Sequence, residues 1–173
     1  MKGSSSTDLF VPFNNVLHLS VYSDAYCAAY VDSRRSLTGY CIFFVSTPIS
    51  WNTKKQTTVS RSTKEAEYCC IVEASCELTW VSFVLQDLLI PLNTPVPFYC
   101  NNKTALHITE NPIFHERTKH IEIDCHIVRD KYKGLIKPMH LSSKIQLADL
   151  LTKALTATQP PDSTRLIELD RKQ

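Results

Sequence analysis

The sequence predicts an α/β fold: a mixed five-stranded sheet, three strands antiparallel and then two parallel, with helices on both faces. Three observations lead there. The run "VLHLSVYSD" from Val16 to Asp24 sets Leu17, Leu19 and Val21 against His18, Ser20 and Tyr22 in strict alternation, the period of a half-buried strand. Two more runs rich in β-formers follow at short connections, which makes an antiparallel meander. Beyond them strand-like and helical stretches alternate, and strand–helix–strand units close as right-handed parallel crossovers.

The elements can be justified in order. "TGYCIFFVS", Thr38 to Ser46, is the second strand; Thr47 and Pro48 are read as its turn, and "ISWN", Ile49 to Asn52, as the return strand. Ser62 with Glu65 three residues later is a capping box. Ala66, Cys70, Ala74, Val81, Val84 and Leu88 then recur at helical spacing to about Leu89, before Pro91 stops the helix. "VPFYC", Val96 to Cys100, is a short buried strand, and Asn102 to Glu110 a short helix. A further helical region covers 117–133 and ends before Gly134. "LIKPMHL", Leu135 to Leu141, is the last strand, which Pro138 assigns to an edge or an end. Ser143 and Gln146 form a second capping box for a final helix whose apolar face is Leu147, Leu150, Leu151, Ala154 and Leu155. The domain therefore spans 1–156, and 157–173 is a linker-like tail with a weak helix.

Composition bounds what such a domain does. A chain of 173 residues with 43% hydrophobic and 21% charged residues can bury a full core. No uninterrupted apolar run approaches the roughly 20 residues that cross a bilayer. The opening "MKGSSSTDLF" lacks the apolar centre of a signal peptide, which points to an intracellular protein, cytoplasmic or nuclear. Seven cysteines, odd in number and mostly in apolar segments, read as reduced thiols. His115, His120, Cys125 and His126 match no standard zinc spacing, so packing is the preferred reading. Net charge is only +2, but Arg34, Arg35, Lys54, Lys55, Arg61 and Lys64 face a single acid between Asp32 and Lys64. That basic module suits a polyanion, and it also suits an ordinary solvated hairpin.

Four positions stand at similar junctures. Asp24 is placed at the end of the first strand, Glu67 early in the long helix, Asn101 after the fourth strand, and Asp149 early in the last helix. Strand ends and first helical turns meet at one rim of such a sheet. Acids gathered there repel one another unless cations compensate, which implies Mg²⁺ or Mn²⁺. Surface solvation explains any one of them; the case lies in the set.

The stretches "YSDAYCA", "DSRRSLTGY", "SWNTKKQTTVSRSTKEAEY", "NPIFHERTKHIEIDCHIVRDK" and "HLSSKIQLADLLTKAL" closely resemble the ribonuclease H domain of Ty1/copia-type retrotransposon Pol polyproteins. The likeness runs from about Lys2 to Leu155, and Lys2, Gly3, Leu9 and Phe10 echo the family's segment leading out of the reverse transcriptase. It implies a ribonuclease H-like fold within a larger polyprotein that also carries reverse transcriptase and integrase. It implies two Mg²⁺ ions, roughly 4 Å apart, that hydrolyse the RNA strand of RNA–DNA hybrids by in-line displacement. Matched motif to motif, Asp24, Glu67 and Asp149 are catalytic, metal-binding carboxylates. The family's third Asp, in a "CDN" motif, is here Asn101, between Cys100 and Asn102. The resemblance thus implies impaired hydrolysis, with a non-catalytic nucleic-acid-binding module or a decayed fragment as the alternative. "DADWAG" of the family is Asp24-Ala25-Tyr26-Cys27-Ala28-Ala29 here, losing an acid and a Trp. "SSTEAEY" becomes Ser62-Thr63-Lys64-Glu65-Ala66-Glu67-Tyr68. His140 corresponds to a histidine that helps product leave, and an ordinary strand-end histidine fits equally. Arg34, Arg35, Lys54 and Lys55 are the candidates for backbone phosphates. Ser62, Thr63 and Asn102 are candidates for the 2′-hydroxyls.

Overall fold

The structure, a computed structural model, describes residues 17–110 and 134–153. Strands β1 (Leu19–Tyr26), β2 (Leu37–Phe44) and β3 (Thr47–Lys55) form the meander. Helix α1 (Thr63–Asp87) leads to β4 (Val96–Cys100), α2 (Lys103–Glu110) and β5 (Ile136–His140). A single 3-10 turn (Ser143–Ile145) precedes the short helix α3 (Asp149–Thr152). The sheet order is β3-β2-β1-β4-β5. β1 pairs antiparallel with β2 and parallel with β4, and β4 pairs parallel with β5. This is the mixed sheet that the alternation predicts.

Alternation decides which side of the sheet is core. Leu19 and Val21 of β1, Ile42 of β2 and Phe98 of β4 point toward Tyr68, Ile71 and Leu78 of α1, and all seven are essentially inaccessible. Each such side chain contributes on the order of 1.5–3 kcal/mol by leaving water. Ala105 and Leu106 of α2 join the same cluster. The opposite face carries Tyr22, stacked on Tyr99 at 4.9 Å and meeting Phe43 edge-on at 5.6 Å. Among the described residues α1 is long and apolar enough to cross a membrane. Its buried stripe instead covers the sheet, as a core helix does.

Several boundaries differ from expectation for local reasons. The hairpin turn falls at Val45 and Ser46 rather than at Thr47 and Pro48: Val45 takes φ +58 and donates its N–H to the His18 carbonyl. β1 runs two residues beyond Asp24 because Ala25 and Tyr26 pair with Thr38 and Leu37. Ser62 caps α1 by accepting from the Glu65 N–H, but the Glu65 carboxylate accepts from the Arg61 N–H at 2.7 Å instead of from Ser62. At its other end α1 closes with Leu89 at φ +59 and the Ile90 N–H on the Leu85 carbonyl, a Schellman closure without the usual glycine.

The second capping box is not formed. Ser142, not Ser143, caps the 3-10 turn, and Gln146 turns inward. Its Nε2 donates to the carbonyls of Ser23 at 3.0 Å and Tyr99 at 3.4 Å, and its Oε1 accepts from the Ala148 N–H. The loop is thus tied to the ends of β1 and β4. Pro138 lies on the edge strand, as its missing N–H requires. The helical region at 117–133, the His115, His120, Cys125 and His126 group, Ala154, Leu155 and the tail lie outside the described residues. The six described cysteines, at 27, 41, 69, 70, 76 and 100, form no disulfide.

Candidate active site

Four chain segments deliver the site. β1 carries Asp24 inward, 3% exposed, and the second turn of α1 carries Glu67, 2% exposed. Asn101 follows β4, and Asp149 opens α3. α3 reaches β1 because Gly39, the β2 partner of Asp24, has no side chain. A Cβ there would lie 2.6 Å from Thr152 Cγ2 and 3.0 Å from Leu151 Cβ. The glycine is therefore required by packing, not by its backbone angles.

Donors surround Asp24. Asn101 Nδ2 donates to Asp24 Oδ1 at 2.9 Å, and Thr152 Oγ1 donates to Asp24 Oδ2. The Lys153 ammonium pairs with Asp149 Oδ2, while Asp149 Oδ1 is buried with no hydrogen-bond partner. Glu67 accepts from the Ala25 N–H and meets the Cys100 thiol at 3.9 Å. The Cys70 thiol donates to the carbonyls of Asp24 and Gly39 and so braces the same turn of strand.

The electrostatics follow from this crowding. Burial, with the charges of Asp24 and Asp149 added to it, pushes the Glu67 carboxyl up to about 8. Burial also raises Asp149, and the charge of Asp24 adds to the rise against the opposing pull of Lys153. Lys153 loses hydration, yet the hydrogen bond and charge of Asp149 outweigh that loss and hold the ammonium above its usual range. Burial drives the neighbouring Cys100 thiol to about 12, so it is a neutral donor there. Burial and neighbouring negative charge thus disfavour the ionised forms of Glu67 and Asp149, the condition that a cation relieves.

In chemical kind these donors fit a hard divalent ion: carboxylate oxygens, one of them buried and unsatisfied. In arrangement they do not fit a two-ion centre. Both oxygens of Asp24 and one of Asp149 are occupied by protein donors. Among the described residues, no group of three His, Cys, Asp or Glu side chains is disposed to hold a metal ion.

The remaining predicted residues divide. His140 is exposed at the end of β5, in register with Cys100 and so beside Asn101. Arg34 and Arg35 are exposed on the β1–β2 loop, where Arg34 takes φ +53 and bonds Tyr30. Lys55 lies over the Tyr30 ring at 4.2 Å and belongs to the same corner. Lys54 does not. Adjacent strand residues face opposite sides, and Lys54 turns to α1 and pairs with Glu73 at 3.4 Å. The four bases are therefore not one patch. Ser62 is occupied as a helix cap, Thr63 opens α1, and Asn102 Oδ1 accepts from the Ala105 N–H at the start of α2. Thr152 and Lys153 went unnoticed in the sequence, and Gln146 is read there only as half of a capping box. The signal for the first two is their spacing, three and four residues after Asp149, which places them on its helical face.

No family model matches the chain. Over 91% of its length it is 40% identical to the retrovirus-related Pol polyprotein from transposon RE1 of Arabidopsis thaliana. Over 90% it is 40% identical to the one from transposon RE2 of the same plant. The chain spans 11% of the length of each. Among solved structures, the N-terminal RNase H domain of rv2228c from Mycobacterium tuberculosis superposes with a TM-score of 0.58 at 10% identity, covering 79% of this chain and 91% of that one. LC11-RNase H1 in complex with an RNA/DNA hybrid gives 0.56 at 14% identity, covering 77% and 92%. At these identities the two structures speak for the fold.

Proposed function

The chain belongs to the ribonuclease H-like domains of Ty1/copia-type Pol polyproteins, and on that premise we propose that it binds RNA–DNA hybrids and hydrolyses their RNA strand weakly. The single observation that carries this reading is the hydrogen bond from Asn101 to Asp24 in place of a fourth carboxylate. Asp24, Glu67 and Asp149 are the carboxylates that would hold Mg²⁺ or Mn²⁺ once the donors on Asp24 and Asp149 turn aside, and the ion would supply charge neutralisation and an activated water at the scissile phosphate. The protein's own part is to orient those oxygens. Gln146 fixes the loop before Asp149, Cys70 fixes the backbone at Asp24, and Gly39 lets α3 approach. The change to Asn101 keeps the shape of the acid and removes a full negative charge, which costs on the order of 10²-fold or more in rate.

Arg34, Arg35 and Lys55 hold backbone phosphates in this reading, and His140 stands where a departing product end would pass. LC11-RNase H1, with the same fold, was solved on such a hybrid. A second reading, a module that binds without cutting, draws support from the internal donors that occupy Asp24 and Asp149. Cleavage of a labelled hybrid in Mg²⁺ or Mn²⁺ separates the two, with Asp24→Asn as the inert control. Slow cleavage lost in that control supports the first. Binding with no cleavage in either protein supports the second.

A further inference from the structure

The far end of the sheet carries an apolar groove that the acidic site does not use. β1, β4 and β5 run parallel, so Leu17, the loop before β4 and Leu135 gather at the end opposite Asp24 and Asn101. A cavity of about 460 Å³ opens there between Ser82 and Gln86 of α1, loop 89–92, and Leu135. Ile90, Leu92 and Leu135 line it and also pack on the core, so they are its inner wall. Leu89 stands at its edge, 90% exposed, with Leu88 before it at 63%. Leu89 is also held at φ +59, a conformation that, glycine apart, suits Asn and Asp rather than leucine. Glycine is the usual residue at this point of a helix closure. A leucine kept exposed on a strained backbone, at the lip of an apolar hollow, is surface that a contact would use.

The chain itself enters at this spot. Asn93, next to the groove residue Leu92, donates its side-chain Nδ2 to the Leu17 carbonyl at 3.1 Å. The bond anchors Leu17, and with it the start of the segment that precedes it, against the groove loop. That segment, residues 1–16, holds the run Leu9, Phe10, Val11, Pro12 and Phe13, and residues 9–16 carry no charge. The groove lining carries none either. Phe13 is four residues from Leu17 and Leu9 eight, a reach of roughly 14 and 28 Å when extended. Leu89 is likewise four residues from Asn93, which keeps the groove within the reach of that run. We infer that the groove seats the chain's own entering segment, with the side chains of residues 9–13 lying on Leu89 and in the hollow behind it. The contact fastens the polypeptide that leads into the domain at the end farthest from the acids. It is independent of the chemistry assigned to Asp24 and its neighbours.

The test is hydrogen–deuterium exchange and thermal unfolding of the full 173-residue chain. The proteins compared are the unaltered chain, Leu89→Asn, Phe10→Ser with Phe13→Ser, and all three changes together. Asn accepts the left-handed backbone, so Leu89→Asn removes apolar contact at an exposed position without adding strain, and the variant folds. The amides of residues 9–13 are expected to exchange at least tenfold more slowly in the unaltered chain than in Leu89→Asn. Those of residues 88–92 should exchange faster once Phe10 and Phe13 are changed. Leu89→Asn should lower the unfolding midpoint by about 3 °C or more, the effect of returning one leucine to water. The triple variant should unfold little below either parent, since both sets of changes break one contact. A leucine that touches nothing gives the opposite sign: relief of strain leaves the midpoint equal or higher, and that result overturns the inference. Exchange of residues 9–13 at the rate of an unstructured peptide in the unaltered chain overturns it too. Protection of residues 88–92 that survives the changes at Phe10 and Phe13 assigns the groove to another occupant. Protection that rises with protein concentration assigns it to a second copy, and either outcome overturns the inference.

Discussion

Asn101 Nδ2 donates to Asp24 Oδ1 at 2.9 Å, so an amide fills with a proton donor the place of an acid that would need a cation. In Asn101→Asp that donor becomes a second carboxylate against Asp24. The metal-free variant should lose roughly 1–3 kcal/mol at pH 8, the cost of an unmade, partly buried hydrogen bond together with like-charge repulsion. Millimolar Mn²⁺ should restore it. Urea denaturation in EDTA and in Mn²⁺ measures both; equal stability of the two proteins in EDTA would contradict the role given to this bond.

Glu67 sets a pH dependence. Its folded value of about 8 exceeds the ordinary 4.5, so the folded state holds this proton more tightly than the unfolded chain does. The corresponding stability is fully present below about pH 4.5 and is lost as pH rises through about 8. Each unit is worth about 1.4 kcal/mol, an upper bound of several kcal/mol in all. Metal-free protein should therefore weaken between pH 5 and 8.5. Glu67→Gln should remove that part of the slope, which denaturation at a series of pH values reads directly. A slope unchanged in the variant would place the titration elsewhere.

Gly39→Ala should drive α3 away from β2, because the new methyl meets Thr152 and Leu151 at 2.6 and 3.0 Å. Overpacking of this kind costs about 1–3 kcal/mol. Thr152→Ser, which deletes Cγ2 and keeps the hydroxyl on Asp24, should recover part of the loss in the double variant. Thermal unfolding of the two proteins is the check, and absence of any rescue would move the strain to Leu151 alone.

Lys54 and Lys55 should not be equivalent. Lys55→Ala and Arg35→Ala remove charge from the exposed corner beside Tyr30, while Lys54 is already paired with Glu73. Affinity for an RNA–DNA hybrid should fall several-fold in the first two and less in Lys54→Ala. The salt slope should become shallower by about one for each phosphate that is no longer neutralised. Equal weakening at all three positions would restore the single patch that the sequence suggests.

Periodicity and caps carry the fold well because each is a short-range rule. Alternation from Leu19 to Tyr22 names the two faces of β1, and Ser62 marks the start of α1. Turn placement is weaker: Val45 takes a positive φ that a β-branched residue disfavours, held by the carbonyl of His18 at the far end of the hairpin. Motif likeness brings Asp24, Glu67, Asn101 and Asp149 to notice, but not what they do to one another. Their donors come from residues that a carboxylate motif does not name: Thr152, Lys153 and the thiols of Cys70 and Cys100. The split of Lys54 from Lys55 follows from the strand period alone, once β3 is known to extend to Lys55.

The most direct measurement is the ratio of initial hybrid-cleavage rates, Asn101→Asp over the unaltered chain, at saturating Mg²⁺ and equal substrate. A gain on the order of 10²-fold or more, abolished by adding Asp24→Asn, is the result predicted for a site lacking one anionic ligand. Equal and substantial rates in both proteins would contradict it, since the amide would then serve this chemistry as well as the acid.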